Sequence, residues 1–388
     1  MGLKFSDDEL RKYVEVWEAC NFNQLATSAK LGVSRHSVHR ALKRAQDAGI
    51  IEDMNETMFL KRRSTLSGPD GETKLQWKIE EADKVKLDAL AQIAVQTLID
   101  QIPPLAPIPS LSPDIYMDDM LTNYLIGDAH GGAYVWGREA EEDYDLEIWQ
   151  EDLMAAVDRL VASSPPTREA VMLNLGDWFH ADDRKSVTPQ SGNQLDTDGR
   201  WAKVVETGLK VQRHAIERML QKHHTVRVVE IPGNHDPHAA LILIAAMGML
   251  FDANPRVIIE DTQRYIWTYE YGKNLISACH GDKAPLAKLP CILSADYPQA
   301  WGRTEFRTIW HGHFHSKRVE EHPGCTVEGF RSLVAKDKWH WDQGYRSLRD
   351  MQSVVLHKEF GEIERHTAGV KLARAGRAAR AQEGTGVG

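Results

Sequence analysis

The sequence predicts an α/β domain over the carboxy-terminal part of the chain, preceded by a small helical domain. Three observations predict this. Beyond about residue 114, short apolar runs alternate with helical stretches, and each run ends in a polar cluster, the rhythm of an α/β domain whose site lies at strand ends. Residues 102–113, IPPLAPIPSLSP, hold five prolines in twelve residues, which favours extended polyproline conformation and marks a linker. Before that run the apolar spacing is helical and the local charge is basic, although the whole chain carries a net charge of -9.

The elements follow in order. Ser6 and Glu9 have capping-box spacing ahead of a helix with Leu10, Tyr13, Val14 and Trp17 on one face. In residues 23–49, small Ser28 and Ala29, Gly32 at a turn, and apolar Val33, Val38 and Leu42 fit two helices packed across a tight corner, with Ser34 capping the second. This segment resembles a helix-turn-helix. Its second helix would present Arg35, His36, Ser37, His39, Arg40, Lys43 and Arg44. Between Ala19 and Gln46 there are five basic residues and no acid, which suits phosphate attraction and base contact, so Arg35, His39, Arg40, Lys43 and Arg44 are the candidate DNA-binding residues. A basic hairpin wing, 59–66 and 73–79 around Ser67-Gly68-Pro69-Asp70-Gly71, is expected next. The expected organisation is residues 1–101 for this domain, 102–113 for the linker, 114–367 for the α/β domain, and 368–388 for a mobile Gly/Ala/Arg-rich tail. Within the α/β domain, strands are expected at 124–126, 171–175, 226–231, Asn274–Cys279 and 308–310, with helices at 146–162, 201–222 and Ala239–Phe251.

With 388 residues and 42% hydrophobic content, the chain can bury two cores. Its acidity excludes a protein that coats nucleic acid along its whole surface. Cys20, Cys279, Cys291 and Cys325 have no CxxC spacing and read as reduced, buried thiols. The start shows no apolar signal region and no uncharged run approaches a membrane span, so a soluble cytoplasmic protein with no membrane partner is expected.

Five short motifs stand in order after apolar runs: Gly127-Asp128-Ala129-His130, Gly176-Asp177-Trp178-Phe179-His180, Gly233-Asn234-His235-Asp236, His280-Gly281, and Gly312-His313-Phe314-His315. Carboxylate oxygens, imidazole nitrogens and an amide oxygen suit manganese, iron or zinc, and the absence of cysteine disfavours a purely structural zinc site. Two residues apart on an extended segment, Asp128 and His130 would point the same way, as would His313 and His315. The glycine in each motif would let the backbone turn tightly. His223, His224, His238 and His311 read as structural.

The ordered set resembles the calcineurin-like metallophosphoesterase superfamily between about residues 125 and 316. The resemblance implies a two-sheet sandwich flanked by helices and two divalent ions, manganese first. One ion would be held by Asp128, His130, Asp177 and His315, the other by Asp177, Asn234, His280 and His313, with Asp177 bridging. It also implies His235 as general acid, and His180 as the histidine that orients or assists it, matching double-strand-break repair nucleases related to the SbcD subunit. The GDWFHADDR run lacks the GDxVDRG of protein serine/threonine phosphatases, and Asp236 stands where those enzymes have glutamate, which disfavours a protein phosphatase. After His315 the capping domain and ATPase-binding helices of the repair nucleases are not recognisable, which leaves an ATPase partner unsupported. The polar segment 181–200, with Arg184, Lys185 and Arg200, is expected to line a substrate groove. Joined to a helix-turn-helix, the set resembles phage and prophage fusions. The expected function is a metal-dependent DNA nuclease directed by its own DNA-binding domain. Its alternatives are a phosphodiesterase for small substrates whose amino-terminal domain serves assembly, and a DNA-binding regulator with a degenerate phosphoesterase domain.

Overall fold

The computed structural model describes residues 6–20, 24–47, 58–67, 73–82, 107–260 and 264–385. Its contacts divide the chain into two compact units, Met1–Pro103 and Pro104–Gly388, so the division falls inside the proline-rich run.

The first unit holds helices α1 (Asp7–Ala19), α2 (Gln24–Leu31) and α3 (Arg35–Asp47) and an antiparallel hairpin of β1 (Met58–Ser67) and β2 (Thr73–Ala82). The capping box forms at α1: the Ser6 amide donates to Glu9 Oε2 at 2.8 Å, and the Glu9 amide donates to Ser6 Oγ at 3.3 Å. Leu10, Val14 and Trp17 of α1 meet Val38, Ala41, Leu42 and Ala45 of α3 in one apolar cluster. Between α2 and α3, Gly32 takes a φ of +65°, the left-handed region glycine enters without cost, and the Ser37 amide donates to Ser34 Oγ at 3.1 Å. His39, Arg40 and Arg44 are exposed on α3; the side chains of Arg35, His36 and Lys43 lie outside the described part, as do those of the hairpin.

The second unit contains β3 (Met117–Ile126), α4 (Leu146–Ser163), β4 (Thr167–Asn174), α5 (Trp201–Leu220), β5 (Thr225–Glu230), α6 (Ala239–Phe251), β6 (Val257–Ile259), β7 (Trp267–Tyr271), β8 (Asn274–Cys279), α7 (Leu289–Asp296), α8 (Pro298–Arg303), β9 (Phe306–His311), β10 (Arg318–His322), β11 (Cys325–Gly329), α9 (Lys338–Asp342), β12 (Asp350–His357), β13 (Gly361–Gly369) and α10 (Val370–Thr385). One sheet has the order β13-β12-β3-β4-β5-β6, with β3 to β6 parallel; the other has β10-β11-β9-β8-β7, with β8, β9 and β11 parallel. The sheets form a sandwich, because a single apolar cluster draws Leu125, Leu173, Val229 and Val354 from the first and Trp267, Ile276, Ala278 and Trp310 from the second. Alternation sends Leu275 and Cys279 to the opposite face of β8, where Leu289 and Leu293 of α7 cover them. At the open edge Arg365 of β13 ties the sheets together, donating to both carboxylate oxygens of Glu328 in β11 at 2.7 and 2.9 Å.

Three expectations need correction. Val370–Thr385 is a helix rather than a mobile tail, because Arg374 donates to both Asp152 oxygens at 2.7 and 2.6 Å and also reaches Glu142. The second half of the proline-rich run packs on the second unit: Arg256 donates to the carbonyl of Ile108 at 2.8 Å, and the Leu111 amide donates to Tyr116 Oη at 2.9 Å. Of the four thiols, Cys279 and Cys325 are buried as expected, Cys20 is half-buried, and Cys291 is exposed on α7. Among the described residues no helix is long and apolar enough to cross a membrane.

Candidate metal centre

The five motifs meet at the carboxyl ends of parallel strands, where backbone amides and side chains of successive loops face one crevice. Asp128 and His130 follow β3, Asp177 and His180 follow β4, Asn234 and His235 follow β5, His280 follows β8, and His313 and His315 follow β9. Among the described residues six non-glycine residues have a positive φ, and five of them are Asp128 (47°), His130 (48°), Asp177 (55°), His313 (69°) and His315 (50°). Each left-handed residue with a Cβ costs of order 1–3 kcal/mol, and such strain persists where the surroundings over-determine it, at sites rather than in scaffolding. This corrects the expected means of aiming the side chains. The Asp128/His130 and His313/His315 pairs are not extended; alternate residues curl into the left-handed region and so turn both side chains inward.

Among the described residues three groups of donor atoms lie within ligating reach: Asp128, His130 and His315 on one side, Asp177, His280 and His313 on the other, and His130, His180 and His235 overlapping the first. His130 Nε2 lies 3.1 Å from His315 Nε2, and His315 Nε2 lies 3.4 Å from Asp128 Oδ1. On the other side His280 Nε2 lies 2.9 Å from Asn234 Oδ1. Asp177 Oδ2 stands between the groups, 3.8 Å from His130 Nε2 and 3.2 Å from His280 Nε2. Ligand atoms about 2.1 Å from one ion lie roughly 3–3.5 Å from each other, so this donor set and its spacings fit a pair of oxygen- and nitrogen-ligated divalent cations. The residues predicted as ligands are thus brought together, all seven.

Their orientation is fixed from behind. His280 Nδ1 donates to the Leu175 carbonyl at 2.8 Å, which turns Nε2 inward. The His313 amide donates to the Asp128 carboxylate at 2.9 Å, and Ser332 Oγ donates to the Asp128 carbonyl at 2.6 Å. Trp149 of α4 donates from Nε1 to the Ala129 carbonyl at 2.7 Å and packs under Gly131. Gly176 has a φ of +100°. At Gly233 the requirement is space instead, since a Cβ there would fall 1.9 Å from Asp177 Oδ1. Asp236 binds the second and third motif loops together, accepting from the Phe179 amide at 2.9 Å and the Gly233 amide at 3.1 Å.

The electrostatics are those of a crowded site. Burial opposes charge on Asp177, yet His280 and His235 hold its carboxyl well below the usual carboxylate range. Burial also opposes charge on His280, but the Asp177 carboxylate wins and pushes the imidazole up to about 10. A divalent cation at Nε2 would take the place of that proton. His130 is held well below the ordinary imidazole value by burial and by His235 and His315, which leaves one ring nitrogen with its lone pair available.

His235 is placed by two bonds: its amide donates to Asp177 Oδ1 at 2.8 Å, and its Nδ1 donates to the His180 carbonyl at 2.8 Å. His180 therefore positions His235 through its backbone and through ring stacking at 5.3 Å, while its own Nδ1 lies 3.2 Å from His130 Nδ1. The side-chain contact expected with His235 is a stack, and its polar contact is with a predicted ligand. Burial and His235 bring the His180 imidazole down to about 3.

The other histidines keep their structural roles. His223 is buried against Tyr124 Oη at 2.8 Å and Thr167, His311 is buried against the Gly312 carbonyl, His238 pairs with Asp182, and His224 packs on the Tyr116 ring. Asp182 also caps α6, accepting from the His238 and Ala239 amides. The segment 181–200 is ordered beside the centre, and Arg184 and Arg200 line a cavity of about 520 Å³ together with Gly131, Ala181 and Trp201. Lys185 is exposed and faces Asp183 at 3.9 Å.

Sequence reasoning missed Asp337 and His340. Asp337 caps α9, accepting from the His340 amide at 2.9 Å and from His340 Nδ1 at 2.7 Å, and the His340 ring stacks on His315 at 5.2 Å. The cap-then-aromatic run Asp337-Lys338-Trp339-His340-Trp341 was the available signal.

No family model matches the chain, and no curated protein matches it. Among solved structures it is similar to a conserved uncharacterised protein of Streptococcus pneumoniae described as a predicted phosphoesterase, at 11% identity over 64% of this chain and 98% of that one, with a TM-score of 0.27. It is also similar to a novel archaeal phosphodiesterase, at 12% identity over 64% and 99% with a TM-score of 0.33, and to zinc-complexed Vps29 of Entamoeba histolytica, at 10% over 64% and 99% with a TM-score of 0.26. With likenesses this distant, the functional reading rests on the geometry of the centre itself.

Proposed function

We propose that this chain is a two-metal phosphodiesterase acting on DNA, with one ion held by Asp128, His130, Asp177 and His315 and the other by Asp177, Asn234, His280 and His313. The observation that carries the reading is the position of Asp177 Oδ2, within 3.8 Å of a nitrogen from each group. Paired divalent ions supply Lewis-acid stabilisation of a phosphoryl group and a low-pKa water for in-line attack. The chain supplies the rest. Asp177 holds the His235 backbone through Oδ1, and with Nδ1 committed to the His180 carbonyl, the proton that His235 gives to a leaving oxygen moves at Nε2. Arg184 and Arg200 offer guanidinium groups to flanking phosphates from the adjoining cavity.

The exposed guanidinium groups of α3 support DNA as the substrate, because Arg40 and Arg44 lie with His39 on a helix capped by Ser34 in an acid-free segment. The full-length protein with manganese should hydrolyse single-stranded, duplex or hairpin DNA as well as a generic aryl phosphodiester, and a chelator should abolish both activities. Hydrolysis of the aryl diester alone would move the reading to small phosphodiesters. Metal-independent hydrolysis, or none, would reject the centre.

A further inference from the structure

Beside the metal centre lies an aromatic surface that the reading above does not use. His340 stacks on His315 with rings 5.2 Å apart and 16° from parallel. Trp339 meets His340 edge-on at 5.0 Å and stacks on Tyr345 at 5.7 Å. The rings thus run without a break from a proposed metal ligand to the protein surface. Trp339 is nonetheless 59% exposed and Tyr345 47% exposed, although aromatic rings of this size ordinarily bury their faces. Asp337 caps α9 and the Tyr345 amide donates to the His340 carbonyl at 3.0 Å, so both rings are carried on one hydrogen-bonded turn. Charged groups border it: Arg346 lies 3.6 Å from the centre of the Trp341 ring, and Lys338, paired with Asp342 at 2.8 Å, shares a cavity of about 250 Å³ with exposed Tyr134 and Trp136 and with Glu139 and Asp196.

We propose that Trp339 and Tyr345 form a stacking platform for an unpaired nucleobase, so that the centre takes single-stranded nucleic acid or frayed ends rather than intact duplex. The inference rests on the phosphodiesterase reading and deepens it. Exposed aromatic faces interleaved with cations are what a single strand requires, since every base has a π-face and every linkage a negative phosphate. A base within a duplex already has both faces stacked and offers neither to the platform.

The test compares full-length wild type, W339A/Y345A and W339F/Y345F with manganese on oligothymidylate, on an abasic polymer of equal length and on an aryl phosphodiester. The alanine variant should raise KM for oligothymidylate on the order of 10-fold. Its kcat, its KM for the abasic polymer and its rate on the aryl diester should not change, and the phenylalanine variant should restore the wild-type KM. An unchanged KM on oligothymidylate, or an equal rise on the abasic polymer, overturns the platform. Should wild type hydrolyse none of the three, the reading of the metal centre falls instead. The platform is then decided by whether oligothymidylate quenches the fluorescence that W339F loses; no such quenching overturns it. If the alanine variant does not fold, Trp339→Leu and Tyr345→Leu made singly give the same comparison.

Discussion

The proposed centre turns on Asp177, whose two oxygens are placed differently: Oδ2 lies 3.8 Å from His130 Nε2 and 3.2 Å from His280 Nε2, and Oδ1 accepts from the His235 amide. Replacing it with alanine should abolish manganese binding and hydrolysis together while circular dichroism stays native, because the surrounding imidazoles keep their own backbone anchors. Retention of full metal stoichiometry by calorimetry would contradict this. His235→Ala should keep both ions and the substrate affinity but lose about 10²–10⁴-fold in kcat on esters with poor leaving groups. His180→Ala should behave differently, since the carbonyl that orients His235 survives the substitution. It should weaken metal affinity through His130 more than it slows proton transfer, and an activity loss matching His235→Ala with normal metal binding would contradict that assignment. At this scale the sequence was legible wherever a motif was contiguous. Asp337 and His340 were missed, because the run from Asp337 to Trp341 signals only a capped helix start, and the approach of the His340 ring to His315 is decided by tertiary packing.

Between elements, the parallel strands bring the loops together and buried polar ties hold them. Glu230, at the end of β5, accepts from Asn174 of β4 at 2.7 Å and from Gln212 of α5. Burial pushes its carboxyl up from 4.5 to about 8. A carboxyl raised on folding contributes its stability fully below the unfolded value and loses it as pH climbs through the folded one. The melting temperature of the wild type should therefore fall as pH rises from about 5 to about 8, and Glu230→Gln, which keeps a neutral side chain of the same shape, should flatten that slope in thermal melts. A parallel slope in both proteins would contradict the assignment. Gly233→Ala tests the contact between loops: a Cβ 1.9 Å from Asp177 Oδ1 must displace the carboxylate, so metal affinity should drop although neither ligand set is altered. Strand and helix positions were readable from periodicity, as at Asn274–Cys279 and Ala239–Phe251, whose bounds the structure reproduces. The left-handed turns at Asp128, His130, His313 and His315 were not, because nothing in a non-glycine sequence announces a positive φ that only the assembled loops can impose. The terminal helix was misread for a related reason, its order depending on Arg374 finding Asp152 more than two hundred residues away.

The molecule comprises two compact units, and the account gives them separate tasks. A chain beginning at Pro104 should hydrolyse an aryl phosphodiester at a rate close to that of the full chain while its affinity for duplex DNA falls. In the full chain, replacing Arg40, Lys43 and Arg44 together should weaken duplex binding and flatten its salt dependence, by roughly one unit of slope per lost phosphate contact. Unchanged affinity and slope in both experiments would assign the first unit to assembly. The α/β class and the separate helical unit were visible in the periodicity, whereas the pairing of two sheets into a sandwich was expected only from the motif resemblance, because strand order is set by contacts that periodicity does not encode. The central claim is that one carboxylate joins two metal ions in a single site. Manganese titration of the full-length protein followed by electron paramagnetic resonance tests it most directly. The account predicts two ions per chain with an exchange-coupled spectrum that Asp177→Asn converts to an uncoupled one; a single ion, or two that are magnetically independent in the wild type, would contradict it.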